Sequence, residues 1–210
     1  MFYIAKTPNW VKKLFSGSTW QMPGVKKALY LSFDDGPHPQ VTAFVLDELR
    51  KYNASATFFC IGKNVAANPL LFNRIKEEGH AVGNHTHDHL DGWKTPKAKY
   101  LQNVLQAGQL IRSNLFRPPY GRITPGQHKA LTQGTDPFKV IMWSVLSGDF
   151  DITITGEQCY RNVIDHAGSG AVIVFHDSEK ANERLRYALP AVLKYFSEKG
   201  YVFEKITTGM

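Results

Sequence analysis

The chain has almost no cysteine. Cys60 and Cys159 are far apart and neither belongs to a CxxC pair, so neither a zinc knuckle nor a disulfide scaffold is indicated. Both read as reduced residues, Cys60 as a small buried hydrophobe within TFFCIG. Long apolar runs are missing too, since nothing approaches the roughly 20 apolar residues of a membrane span. The opening MFYIAKTPNWVKKLF has no apolar segment of secretory length and no small-residue cleavage site. No signal peptide or stable span is therefore expected, and a cytoplasmic location is the default. Acidic residues are scarce, 18 against 25 Lys and Arg for a net charge of +7, which raises the question of an anionic partner. The basic residues do not cluster, however. Lys12-Lys13, Lys26-Lys27 and the group from Lys94 to Lys99 are short and interrupted, a pattern of solvated surface that excludes nucleic acid as the expected partner. No internal repeat, low-complexity tract or long linker divides the 210 residues, which fits a single domain.

What is present is the material of a packed core. The hydrophobic fraction is 43%, with 13 Phe, 9 Tyr and 4 Trp, enough apolar area to offset chain entropy. Near the start, Trp10, Val11, Leu14 and Phe15 share a helical face. That face is expected to pack on the domain, a membrane-surface contact being the alternative.

Strand-length apolar runs alternate with helical patterns, the signature of βα units around a parallel sheet. ALYLSF, TFFCIG, AVGN, the start of LFRPPYG, KVIMWSVL, AVIVF and YVFEKI read as strands. The helices are expected over VTAFVLDELRKY, PLLFNRIKEEGH, KAKYLQNVLQAGQLIRSN, His128 to Gln133, EQCYRNVIDHA and ALPAVLKYFSEKG. Pro69 suits a first turn and Gly79 a C-terminal cap. DDG, the histidine cluster, RPPYG, SGDFD and HDS each follow a predicted strand. In a parallel β/α arrangement these five segments meet at one end of the sheet or barrel, where such folds carry their active sites.

The densest group is GNHTHDHL, with three histidines and an aspartate inside five residues, and His80 just upstream. His85 and His89 are four apart, so on a helical turn both rings face one way and reach a single ion. SFDDG offers adjacent carboxylates at the mouth of the first strand. Asp34 and Asp35 point in different directions there, so one can bind a metal while the other acts as a base. Two His and one Asp leave an open coordination position, which suits a catalytic zinc or similar divalent ion, whose bound water acquires a pKa of about 7.

SFDDG, HTHDH, RPPYG, WSVLSGDF and VFHD occur in the order and approximate spacing of the five motifs of polysaccharide deacetylases, the carbohydrate esterases with a NodB homology domain. The chain resembles that family from about Ala28 to Ile206. The resemblance implies an α/β fold, a deformed (β/α) barrel, in one catalytic domain spanning residues 28–206, with an extension at 1–27 packing on or beside it and a tail at 207–210. It implies a divalent metal, zinc first and cobalt, nickel or manganese next, that serves removal of N-acetyl groups from a glycan containing N-acetylglucosamine, peptidoglycan- or chitooligosaccharide-like, by attack of a metal-bound water.

Carried onto this sequence, the ligands are Asp35, His85 and His89, with Thr86 bracing their loop. Asp34 is the base, and Arg117 pairs with it, holding it in position and ionised. The backbone N–H of Tyr120 serves as oxyanion donor, held by Pro118 and Pro119. His176 is the acid that protonates the departing amine, with Asp149 favouring its charged form. Val174 lines the acetyl pocket, with Tyr120 and Phe150 also facing substrate. The fourth motif departs from the family pattern: Leu146 stands for its first Asp and Phe150 for its Trp, which bears on pocket shape and sugar preference. His87 and Asp88 fill variable positions. His80 and His38 read as accessory, solvent-facing histidines. Trp93, Tyr120 and Trp143 are candidates for stacking on sugars, although Trp143 lies on a predicted strand and reads as core. Two alternatives remain at this stage: a same-fold esterase or amidohydrolase acting on another acylated substrate, and a glycan-binding protein with weak or no activity. The sequence leaves the oligomeric state undetermined.

Overall fold

The computed structural model describes residues 4–24, 26–133 and 135–207, without the side chain of Leu14. Residues 208–210 of the expected tail, and Leu14's share of the N-terminal helical face, lie outside this description. Among the described residues, no helix is long and apolar enough to cross a membrane.

In chain order the elements are α1 (Asn9–Leu14), β1 (Ala28–Asp34), α2 (Val41–Lys51), β2 (Thr57–Cys60), α3 (Gly62–Ala67), α4 (Pro69–Glu77), β3 (Ala81–Asn84), α5 (Lys97–Ile111), β4 (Leu115–Phe116), α6 (Pro125–Thr132), β5 (Lys139–Val140), β6 (Val145–Leu146), α7 (Gly156–Ile164), β7 (Val172–His176), α8 (Asn182–Glu198) and β8 (Val202–Phe203). The sheet runs β5-β4-β3-β2-β1-β7-β6, every pair parallel, with β8 beside the start of β1. This is the α/β, deformed (β/α) barrel expected from the motifs.

Side-chain alternation along the strands builds the core and aims the site in one step. In β1, Leu29, Leu31 and Phe33 point outward into a cluster with Val45, Leu46 and Leu49 of α2 and Leu185, Leu189 and Val192 of α8. Each fully buried apolar side chain there contributes about 1.5–3 kcal/mol. Ala28 and Tyr30 point inward, against Phe59, Leu115, Ile141 and Val172. By the same parity Ser32 and Asp34 continue the inward row of β1. Gly83 also faces inward, where a Cβ would meet the Phe59 ring at 2.5 Å, so glycine leaves room for that ring.

The N-terminal segment lies across the gap between the two edge strands. Thr19 bridges Ile141 beyond β5, Lys6 bridges Val145 of β6, and Gln21 bridges Ala171. Val11 packs on the cluster around Trp20, Tyr100 and Met142, while Trp10 remains 67% exposed.

Three expectations about elements change. KVIMWSVL is not one strand: β5 pairs with β4 and β6 with β7, on opposite edges. The intervening Ile141 and Met142 carbonyls accept from Arg117 instead of a neighbouring strand. The final helix begins at Asn182, well before Ala188, and passes through Pro190. The short α3 had no counterpart in the sequence reading.

Candidate active site

The inward parity of the strands converges on the C-terminal end of the sheet. Asp34 ends β1, His85 follows β3, Arg117 follows β4, and Val174 and His176 belong to β7. Asp35 leaves β1 with φ 82°, and Thr86, His89 and Tyr120 have φ values of 65°, 58° and 60°. Such left-handed backbone costs non-glycine residues about 1–3 kcal/mol each and persists only where surroundings impose it. Here the surroundings are specific hydrogen bonds. Asn84 Oδ1 accepts from the Thr86 N–H at 2.9 Å, and Thr86 Oγ1 accepts from the Leu90 N–H at 3.2 Å. Asn103 Oδ1 accepts from the N–H groups of His87 and Asp88 at 2.9 and 3.0 Å. The His85–His89 segment is thus a braced loop, a correction to the helical turn expected from the spacing.

The loop nevertheless brings both rings to Asp35. One donor atom from each of Asp35, His85 and His89 lies within 4.8 Å of the others. Asp35 Oδ1 stands 3.1 Å from His89 Nε2 and 3.7 Å from His85 Nε2, and it is buried without a hydrogen-bond partner. His85 Nδ1 is 2.8 Å from the Arg117 carbonyl, so an N–H there donates outward and leaves Nε2 free to ligate. Burial lowers the His85 pKa to about 4, keeping the ring neutral as a ligand must be. Burial opposes charge on Asp35, but the close approach of His89 and the fields of His176 and His85 outweigh it, holding its carboxyl below the usual range. An orphaned carboxylate oxygen facing two imidazoles fits a divalent ion of the zinc type. Asn64 Nδ2 donates to the Asp35 carbonyl at 2.7 Å, fixing the loop from behind.

Asp34 points the other way, into the barrel. Its Oδ1 accepts from Arg117 Nη1 at 2.7 Å. Arg117 is fully buried and gives three further N–H donors to Ser32 Oγ at 2.8 Å and the carbonyls of Ile141 and Met142 at 3.1 and 3.0 Å. Its guanidinium carbon lies 4.0 Å from the centre of the Phe59 ring. The planar guanidinium, held by these bonds, aims Nη1 at one carboxylate oxygen, a fixed direction that the rotating ammonium of lysine would not give.

Across the sheet end, Asp149 holds His176 twice, at the backbone N–H (2.6 Å) and at Nδ1 (2.8 Å). Burial disfavours charge on the ring, but the adjacent Asp149 carboxylate outweighs it and the pKa rises to about 9. Phe150 meets His176 edge-on with centroids 5.2 Å apart. Val174 and Leu146 are paired neighbours on β7 and β6, both buried.

The remaining candidates divide. Tyr120 sits in a tight turn over Pro119–Gly121, the residue 54% exposed and its ring edge-on to His89. Trp143 is half-buried against the two inner clusters. His38 is partly exposed, but His80 is buried, contrary to expectation. Its Nδ1 accepts from the Ala56 N–H at 3.2 Å and its ring packs on Phe58. Burial lowers its pKa to about 4.

Asp177 was not singled out from the sequence. Fully buried, it accepts from the Gly36 N–H at 3.0 Å and bonds the Thr42 hydroxyl, while its own N–H donates to the Asp34 carbonyl. A Cβ at Gly36 would collide with this carboxylate. Burial pushes its pKa up to about 8, a rise opposed by the Thr42 hydrogen bond and reinforced by Asp35. It ties the loop carrying Asp35 to the end of β7. The available signal was its place directly after His176 in VFHD.

Residues 21–133 match the family model described as polysaccharide deacetylase. A peptidoglycan-N-acetylglucosamine deacetylase of Bacillus cereus is 33% identical over 195 residues, covering 90% of this chain and 91% of that protein. The chain belongs to the polysaccharide deacetylase family. As a polysaccharide deacetylase it is a hydrolase of carbon–nitrogen amide bonds. A chitooligosaccharide deacetylase of Bradyrhizobium is 35% identical over 164 residues, 75% of this chain and 74% of that one. Other curated relatives are longer, the chain spanning 62% of a second Bacillus cereus deacetylase and 44% of one from Listeria monocytogenes. Among solved structures, the Bc1960 peptidoglycan N-acetylglucosamine deacetylase superposes with a TM-score of 0.86 at 29% identity, over 95% of each chain.

Proposed function

We propose that this polysaccharide deacetylase removes the acetyl group from N-acetylglucosamine units of a peptidoglycan- or chitooligosaccharide-like glycan, with a divalent ion, zinc first, held by Asp35, His85 and His89. The observation that carries the reading is the company these three residues keep. An orphaned carboxylate and two imidazoles stand between an arginine-held aspartate and an aspartate-held histidine. The named activities of the relatives support the substrate class.

When bound, the ion polarises the acetamide carbonyl and lowers the pKa of the attacking water. Asp34, fixed by Arg117, takes a proton from that water as the carbon–oxygen bond forms. The Tyr120 N–H, on a backbone restrained by Pro118 and Pro119, donates to the oxygen on which negative charge develops. His176 carries its proton at neutral pH because of Asp149, and delivers it to the glucosamine nitrogen as the carbon–nitrogen bond breaks. Acetate and a free amine result. Val174, with Leu146 beside it, offers an apolar wall to the acetyl methyl group, and Phe150 orients the His176 ring from its edge.

The test is acetate release by zinc-loaded protein from chitooligosaccharides, peptidoglycan fragments and acetylated xylan, with the free amine identified by mass spectrometry. Release from the first two supports the reading. Release from xylan alone would replace it with an ester substrate. Glycan binding without release, across several metals, would leave a binding protein.

A further inference from the structure

Charge is spread unevenly along the chain. Residues 1–27 hold five lysines and no carboxylate, and the first acidic residue is Asp34. Five of the seven net positive charges therefore belong to residues ahead of β1. Along the sequence these lysines are scattered, but the fold gathers two of them. Lys6, Lys12 and Gln21 line a cavity of about 200 Å³ together with Ser144, His166 and Ser169, and no Asp or Glu stands in its wall.

The nearby Lys27 donates to the Lys199 carbonyl at 2.9 Å. Among the described residues, neither Lys6 nor Lys12 has such a partner, or a carboxylate. Lys12 is nonetheless half-buried, while its neighbour Lys13 is exposed. Burial, and after it the Lys6 ammonium, lowers the Lys12 pKa, as expected for two like charges that nothing neutralises. The other lining groups add donors. Gln21 Nε2 gives one hydrogen to the Ser169 carbonyl at 3.0 Å and keeps a second. Ser169 Oγ accepts from the Lys27 N–H at 3.0 Å, which leaves its own hydroxyl hydrogen. His166 spends Nδ1 on the Asn162 carbonyl at 3.0 Å, which leaves Nε2. Donors around a space smaller than the roughly 300–1,000 Å³ of pockets for drug-sized molecules suit a compact anion with several acceptors.

We propose that Lys6, Lys12 and His166 form a binding site for a phosphate group, free or esterified, away from the candidate active site. Ser144 precedes β6 and Ala171, also in the lining, precedes β7, whereas His176 ends β7. At roughly 3.3 Å per residue, the five steps from Ala171 to His176 span about 16 Å. The site does not rest on the glycan reading. A phosphate dianion matches two ammoniums in charge, which a carboxylate does not. Its oxygens take donors from the N-terminal segment and from the barrel, so a bound phosphate ties the two together. A second hollow of about 280 Å³ adjoins across Gln21 and Ser169, with Lys26 in its wall, and gives room for the remainder of an ester. A protein held there by a phosphate on a larger molecule keeps its catalytic end open.

The test is calorimetric titration with inorganic phosphate and with glycerol phosphate, applied to zinc-loaded wild type, Lys6→Gln, Lys12→Gln, Lys12→Arg and Lys13→Gln, and to His85→Ala. Wild type and His85→Ala should bind alike at millimolar concentration, because the site does not involve the candidate metal ligands. Lys6→Gln and Lys12→Gln should each weaken binding about tenfold, the loss of one charge-assisted contact. Lys12→Arg keeps the charge and should retain binding, and Lys13→Gln, outside the cavity, should leave it unchanged. Acetate release from glycan should be the same in all the lysine variants as in wild type. Tighter binding of inorganic phosphate assigns a free anion, and tighter binding of the ester a tethered one. No binding by wild type, equal weakening by Lys13→Gln, or a loss confined to His85→Ala would overturn the site.

Discussion

Removing the guanidinium of Arg117 should expose how much of the molecule is organised around one buried ion pair. Arg117 is 0% and Asp34 3% exposed, and they meet at 2.7 Å. Arg117→Met keeps bulk but leaves a buried carboxylate unpaired, at a cost of about 3–5 kcal/mol. It also orphans the Ile141 and Met142 carbonyls, at about 1–3 kcal/mol each where no water replaces the donor. Against a total stability of about 5–15 kcal/mol, the single variant lies near the edge of folding. Asp34→Asn leaves the arginine as the unpaired charge. The double variant buries neither charge, so it should be more stable than the sum of the singles predicts by about 2–4 kcal/mol. Urea midpoints at constant slope measure the coupling. Additivity within about 0.5 kcal/mol would mean that the pair does not interact as argued, and that Arg117 is held by its carbonyl and Ser32 bonds alone.

Further expectations concern the ligands and the titrating groups. His85→Ala and His89→Ala should each lose most bound zinc, measured by elemental analysis after dialysis, whereas His87→Ala should retain it because its ring is not in the cluster. Asp149 raises His176 to about 9, so activity that needs the protonated ring falls as pH rises through that region. Asp149→Asn should move this alkaline limb of the kcat profile toward the ordinary histidine value of 6.5, and an unmoved limb would exclude His176 as its source. His80 titrates near 4 in the folded protein against 6.5 ordinarily, so its contribution is complete above about 6.5 and is lost as pH falls toward 4. His80→Gln, which keeps an acceptor for Ala56, should remove about 2 kcal/mol of that acid sensitivity, read from denaturation midpoints across the interval.

Period and order made much of the architecture legible before any coordinates. ALYLSF was legible as a strand, and within it the structure sets Leu29, Leu31 and Phe33 on one side and Ser32 and Asp34 on the other. The strand-end positions of the five motifs did bring Asp35, His85 and His89 together. What was illegible is what depends on partners distant in sequence. KVIMWSVL has the apolar character of one strand, and nothing local reveals that Arg117 takes the carbonyls in its middle. The His85–His89 spacing fits a helix, yet Asn84 and Asn103 hold it as a loop. A histidine after a helix end looks solvent-facing, but His80 directly precedes β3 and its ring packs on Phe58 of the neighbouring β2. Asp177 shows the same limit, because its role lies in reaching Gly36 in the loop after β1 and Thr42 at the start of α2.

The central claim is that Asp34 works as a base beside a metal it does not bind. Acetate release from an N-acetylglucosamine oligomer, measured for wild type and Asp34→Asn at matched zinc content, tests this most directly. Wild type should release acetate and a free amine, while the variant, still folded and fully loaded, should lose activity by at least about a hundredfold. Equal turnover by the two proteins, or loss of zinc with the aspartate, would contradict the account.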